Sequence, residues 1–168
     1  QHKIRAHHIV LATGAIERPL VFGNNDVPGV MTLAAGLTYL NRYGVLAGHK
    51  VLITGNHDGV YDAAADFAAA GAQVTVVDAR GGAAPRASKG VTVLRGHGVA
   101  EVLGRSTVRG ARVRALQGGA ITNVDCDLVL SSAGYSPTVH LYCHDGGRPQ
   151  WREDVQAFVL PREGRTGL

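Results

Sequence analysis

The chain has 168 residues, 45% of them hydrophobic and 18% charged, and carries a formal net charge of +4. That length and apolar content are enough for one compact core. So small a positive charge, on Arg residues that are scattered or gathered near the end without interleaved aromatics, excludes nucleic acid as the expected partner. No run approaches a membrane span and no charged, apolar, small-residue leader opens the chain, so it reads as soluble and cytoplasmic.

The first apolar run, Ile4 to Leu11, alternates and then becomes apolar before stopping at Ala12-Thr13-Gly14, a pattern that predicts a strand running into a glycine turn. The chain opens on Gln1 and enters this pattern directly, as a segment of a longer polypeptide does. Asn24 to Met31 is turn-rich, with Pro28-Gly29 as the turn signal. A helix is expected next, with Thr32 as N-cap, an apolar stripe at Leu33, Leu37 and Leu40, and Gly44 as its stop. Tyr39, Asn41, Arg42 and Tyr43 then read as a solvated helix end.

Lys50 to Arg80 is the most strongly patterned stretch. Val51 to Thr54 and Val74 to Val77 are short, β-branched runs of the kind buried on both faces of a parallel sheet. Between them Tyr61 to Ala70 has strong helix formers and no breaker until Gly71, which suits the residue after a helix end. The unit is βαβ, and the turn after its first strand is where a dinucleotide's pyrophosphate would rest on a helix N-terminus. The fingerprint G-x-G-x-x-G needs glycine at 55, 57 and 60, yet the sequence has Gly55, His57 and Val60, with Gly59 out of register. A side chain at position 57 stands where phosphate oxygens would come. Asp78, by contrast, ends the second strand roughly 20 residues after Gly55, where an acid takes the adenosine ribose hydroxyls and favours NAD over NADP.

Gly81 to Gly90 is a Gly/Ala/Pro/Arg loop. Val91 to Leu94 reads as a third buried strand, and Gly98–Leu103, Val108–Leu116 and Ala120–Val124 as a β-meander. Asp127 to Ser131 supplies a last buried strand, which ends in a second exit turn at Ser132 to Pro137. In the tail, His140, Cys143, His144 and Asp145 lie close together but lack a partner pair at structural-site spacing, so no metal is assigned. Cys126 and Cys143 form no C-x-x-C, so the dithiol of disulfide-reductase chemistry is missing. His7 and His8 read as edge or exposed positions.

The segments ATGAIERPLVF, NNDVPGVM, TYLNRYGV and the GNHDGVY turn together resemble the α subunit of heterotetrameric sarcosine oxidase, from Ile4 to about residue 158. A-T-G-A-x-E-R-P is shared with other amine- and opine-oxidising flavoproteins, whereas NND-x-PGVM followed by YLNRYGV narrows the resemblance. It implies an α/β fold with a Rossmann-like parallel sheet, a βαβ unit and an antiparallel β-meander. Residues 1–31 would end a first nucleotide-binding domain, 32–137 would form an inserted domain, and 138–168 would return towards the first. It implies cofactor-binding positions at Thr13, Gly14, Gly55, Asn56 and Asp78, and no catalytic residue in this segment. NAD would be held in the parent chain, FAD and FMN in the parent complex, with none bound tightly by the segment alone. Partners would be the other subunits of a hetero-oligomeric oxidase that converts sarcosine to glycine, formaldehyde and hydrogen peroxide. The alternative is the NAD(P)H-binding domain of a flavoprotein reductase or of an opine or amine oxidase.

Overall fold

Two apolar runs, Val51–Thr54 and Val74–Val77, pair in parallel at the middle of the structure, with Val51 opposite Val74 and Gly55 opposite Asp78. The computed structural model describes residues 2–82 and 89–161. In chain order the elements are β1 (Ala15–Glu17), β2 (Val30–Thr32), α1 (Leu33–Leu37) running into a π-helical turn (Thr38–Arg42), β3 (Lys50–Gly55), α2 (Gly59–Ala69), β4 (Gln73–Asp78) and β5 (Val91–Arg95). They continue with β6 (His97–Leu103), β7 (Gly110–Ala115), β8 (Ile121–Val124), β9 (Leu128–Ser132), β10 (Tyr135–Pro137), α3 (His140–His144), β11 (Gln150–Arg152) and β12 (Ala157–Val159). The chain divides into two compact units, Glu17–Gly134 on the one hand and Gln1–Ile16 with Tyr135–Leu168 on the other.

In the larger unit a five-stranded sheet has the order β2-β9-β3-β4-β5, and every one of its pairings is parallel. Such a sheet must be covered on both faces, because strand residues alternate sides. Val51, Ile53, Val74, Val76, Leu128 and Leu130 turn to the face covered by Leu33, Val60, Ala64 and Phe67 of the helices. Leu52, Val77 and Val129 turn to the other face and pack on Val102, Ala111 and Val113 of the meander. The meander is an antiparallel three-stranded sheet, β6-β7-β8. The expected α/β architecture, with its βαβ unit and meander, is therefore present.

Local chemistry accounts for the ends. Thr32 caps α1 through Oγ1, which accepts from the Ala35 amide at 3.3 Å. Gly71, at φ +92°, turns the chain out of α2. The edge strand β2 escapes sequence reading because only Val30 to Thr32 take part in it, and their register on Val129 to Ser131 is what makes them a strand.

The strand expected over Ile4–Leu11 is not formed. Residues 2–14 have no regular structure, and Ile4, Ile9 and Val10 are exposed. A strand needs a neighbour to satisfy its amides and carbonyls, and none pairs with this run among the described residues. His7 and His8 are accordingly exposed on an irregular segment. β1, whose last residue Glu17 already belongs to the larger unit, pairs with β10, and in the smaller unit β11 pairs with β12, where Trp151 meets Phe158 edge to face at 5.2 Å between ring centroids. Most of the Gly81–Gly90 loop lies outside the described residues. Among the described residues no helix is long and apolar enough to cross a membrane.

Candidate functional site

The chain leaves β3 through α2 towards β4, but it leaves the neighbouring β9 through Ala133 and Gly134, which pair with Arg18. Adjacent parallel strands whose exits diverge open a crevice at their C-terminal ends, the place where open α/β sheets bind ligands. Here the two strands end side by side at Gly55 and Ser132.

Gly55 is required by packing. A Cβ there would lie 2.5 Å from Val60 Cγ1 and 2.7 Å from the Ser132 carbonyl oxygen. Only glycine lets α2 and β9 close this tightly on the end of β3. Asn56, next in the turn, is exposed. Asp58 holds the N-cap position of α2 but makes no side-chain cap; its carboxylate is 2.8 Å from the Arg80 guanidinium instead. The first turn is closed by backbone alone, with the Tyr61 amide donating to the Asp58 carbonyl at 2.9 Å. The helix N-terminus, with its partial positive charge, is thus left without a side-chain acceptor.

His57 links the turn to β9. Its Nε2 lies 2.8 Å from Ser132 Oγ, and its Nδ1 lies 3.1 Å from the point that a Cβ on Gly59 would occupy. One edge of the ring is therefore anchored on β9 while the other lies over the first residue of α2. Burial holds the imidazole below its ordinary value of 6.5, Arg80 pushes it the same way, and Glu17, Asp58 and Asp78 oppose. Glu17 reaches the area from β1, its Oε2 accepting from the Ala34 amide at 2.8 Å and its Oε1 buried with no hydrogen-bond donor among the described residues.

Asp78 closes the other side. It is fully buried at the end of β4, and its carboxylate accepts from Tyr61 Oη at 2.7 Å, the Arg80 amide at 2.9 Å, and Arg80 Nε and Nη2 at 3.1 and 3.0 Å. Arg95 stands 3.6 Å away and donates to the Tyr61 hydroxyl at 3.3 Å. Burial by itself would raise this carboxyl, but the bonds from Arg80 and Tyr61 outweigh it and hold the group below its usual range. Tyr61 is raised by burial and by its bond to Asp78. The acid thus stands where its spacing predicted, in register with Gly55, with the Arg80 guanidinium over it.

Of the five positions singled out from sequence, Gly55, Asn56 and Asp78 lie together here. Thr13 and Gly14 belong to the other unit, where Thr13 Oγ1 donates to the Thr138 carbonyl at 2.6 Å and the Thr138 amide donates to that of Gly14 at 3.0 Å. Sequence reasoning missed Tyr61, Arg80, Arg95, Ser132 and Glu17; the signal available was Arg80, two places after the acid. Cys126 is buried and its thiol is pushed up to about 12 by burial and by Asp127 and Asp125. Among the described residues no three of His, Cys, Asp and Glu gather as a metal site would need.

The family model described as pyridine nucleotide-disulphide oxidoreductase matches residues 1–156. The chain belongs to that family. Within the family, it is 39% identical over 166 residues to the sarcosine oxidase subunit alpha of Corynebacterium sp. (strain U-96), covering 93% of this chain and 17% of that protein. It is 38% identical over 160 residues to the protein of the same name from Rhizobium meliloti (strain 1021), covering 95% of this chain and 16% of that one. The chain therefore spans about a sixth of the length of these curated relatives. Among solved structures, L-proline dehydrogenase from P. horikoshii superposes with a TM-score of 0.66 at 23% identity, covering 93% of this chain and 27% of that one. That likeness concerns the fold. The match to sarcosine oxidase subunit alpha agrees with the resemblance carried by the ATGAIERPLVF and TYLNRYGV segments.

Proposed function

We propose that this chain is the dinucleotide-binding-type domain of the alpha subunit of a sarcosine-oxidising flavoenzyme. The parent works in the cytoplasm beside other subunits and converts sarcosine to glycine, formaldehyde and hydrogen peroxide. FAD and FMN belong to the assembled complex, and the residues of the oxidation lie outside this chain. Residues 32–137 are the inserted domain, and Thr13 and Gly14 are an edge of the preceding one.

The observation that carries the reading is the register of Gly55 with Asp78 beside a helix start that no side chain caps. A pyrophosphate fits uncapped amides at a helix N-terminus, and a carboxylate one strand away suits a ribose diol. The residues present fit NAD: Gly55 and Asn56 border the phosphates, and Asp78 takes the ribose hydroxyls once Arg80 has swung aside. Bound NAD supplies hydride chemistry at its nicotinamide. The residues of this chain bind and orient it, and a guanidinium that must first be displaced keeps that binding weak.

Calorimetric titration with NAD and NADP tests this. NAD should bind more tightly than NADP, and Asp78→Ala should weaken NAD by about 1–2 kcal/mol through loss of charge-assisted hydrogen bonds. Equal or tighter binding of NADP by the unmodified protein would remove the role given to Asp78. A protein purified yellow that oxidises NADH would favour a flavoprotein reductase instead.

A further inference from the structure

We propose that Arg80 is a strap that closes the ribose position of the crevice in the absence of nucleotide, tied to Asp78 at the end of β4 and to Asp58 at the start of α2, so that either tie can be loosened to raise affinity. The proposal rests on the dinucleotide reading above and adds to it the residues that gate the site.

Geometry carries it. One guanidinium nitrogen, Arg80 Nη2, lies 3.0 Å from Asp78 Oδ2 and 2.8 Å from Asp58 Oδ1. The Nε and the backbone amide of the same residue donate to Asp78 Oδ1 at 3.1 and 2.9 Å. The side chain therefore joins the end of β4 to the turn that follows β3, and it occupies both oxygens of the carboxylate that would take the ribose. Of the donors to Asp78, the Arg80 guanidinium is the one that can move. Tyr61 is buried and the amide is backbone, whereas the Arg80 side chain is 37% exposed and its second anchor, Asp58, is 70% exposed.

Opening such a contact is ordinarily costly, because a buried carboxylate stripped of its cation is left uncompensated, and Asp78 has no exposed surface. Arg95 removes that obstacle. Its Nη1 stands 3.6 Å from Asp78 Oδ2, beyond hydrogen-bond distance but near enough to balance the charge. Its guanidinium is fixed there by the Arg80 and Gly81 carbonyls at 3.3 and 2.8 Å and by the Tyr61 hydroxyl at 3.3 Å. The bond to Arg80 is to the backbone, so Arg95 keeps its place whichever way the Arg80 side chain points. A site that is open for only part of the time binds more weakly in proportion to its open fraction, and Asp58 lowers that fraction by holding the strap down.

The test is calorimetric titration of NAD into the unmodified protein, Asp58→Asn, Arg80→Gln and the double variant, each checked by a melting curve. Asp58→Asn should bind NAD up to about fivefold more tightly, the size of one exposed ion pair, and Arg80→Gln at least as much more tightly. The double variant should match Arg80→Gln, because Asp58 acts through Arg80. The sign is diagnostic, since simple attraction to an anionic nucleotide would make loss of the Arg80 charge weaken binding. In the unmodified protein the Arg80 Nε–H resonance should lose its protection from exchange when NAD saturates the site, a readout that needs no variant to fold. Weaker or unchanged binding by either single variant that melts like the unmodified protein overturns the strap and leaves the dinucleotide reading standing. So does a double variant tighter than Arg80→Gln by the full Asp58→Asn factor, or an Nε–H that stays protected with NAD bound. No binding of NAD by any of these proteins overturns both.

Discussion

Replacing Gly55 by alanine tests how tightly α2 and β9 close on the end of β3. The added Cβ would stand 2.5 Å from Val60 Cγ1 and 2.7 Å from the Ser132 carbonyl oxygen, each far inside van der Waals contact. Val60 is fully buried and the Ser132 carbonyl belongs to the backbone of the interior strand β9, so neither can give way by a simple side-chain rotation. Overpacking of a dense site costs about 1–3 kcal/mol, and displacing backbone puts this case at the upper end, about 3 kcal/mol. For a domain of this size that lowers Tm by roughly 6–12 °C. Gly59→Ala is the matched control. Its Cβ would meet only the His57 ring at 3.1 Å, and alanine gains up to about 1 kcal/mol over glycine within a helix. Urea unfolding followed by circular dichroism at the helical band measures both, since the lone tryptophan, Trp151, belongs to the other unit. Gly55→Ala as stable as the unmodified protein, or Gly59→Ala as damaging as Gly55→Ala, would refute the claim that position 55 is held by packing.

Tyr61→Phe removes the 2.7 Å bond to the buried Asp78 carboxylate and should destabilise by about 1–2 kcal/mol in the same assay; Phe as stable as Tyr would mean that Arg80 and Arg95 suffice. The lowered Asp78 carboxyl contributes stability that is fully present above its ordinary value of 3.8 and is lost as pH falls below that through the native value. Asp78→Asn should therefore flatten the acid limb of a stability-against-pH curve, and an unchanged limb would assign acid unfolding to other groups. Because the Cys126 thiol is buried and pushed up to about 12, a thiol reagent near neutral pH should label the exposed Cys143 quickly and Cys126 only on unfolding. Fast labelling of both sites in the native protein would contradict the burial of Cys126.

The βαβ unit was legible because its signals are local and agree: two β-branched runs, a breaker-free helix and Gly71 at its end. The position of Asp78 followed from the same spacing. Its partners did not. Arg80 and Tyr61 reach the carboxylate through side-chain conformations that no periodicity encodes, and Arg95 arrives from the next strand, 34 residues from Tyr61 in sequence. The contact of His57 with Ser132 joins residues 75 apart and exists because β9 returns to the middle of the sheet, beside β3. Ile4–Leu11 misleads for the opposite reason. Its alternation is genuine, but pattern alone cannot supply the neighbouring strand that would pair with it. Likewise β2 is too short to announce itself, and only the register on β9 defines it.

The most direct test of the account is a structure of the protein determined with NAD at saturating concentration. The account predicts the pyrophosphate over residues 55–59, the ribose on Asp78, and Arg80 turned away from that carboxylate. Nucleotide bound elsewhere, or an empty turn with Arg80 still on Asp78, would contradict it.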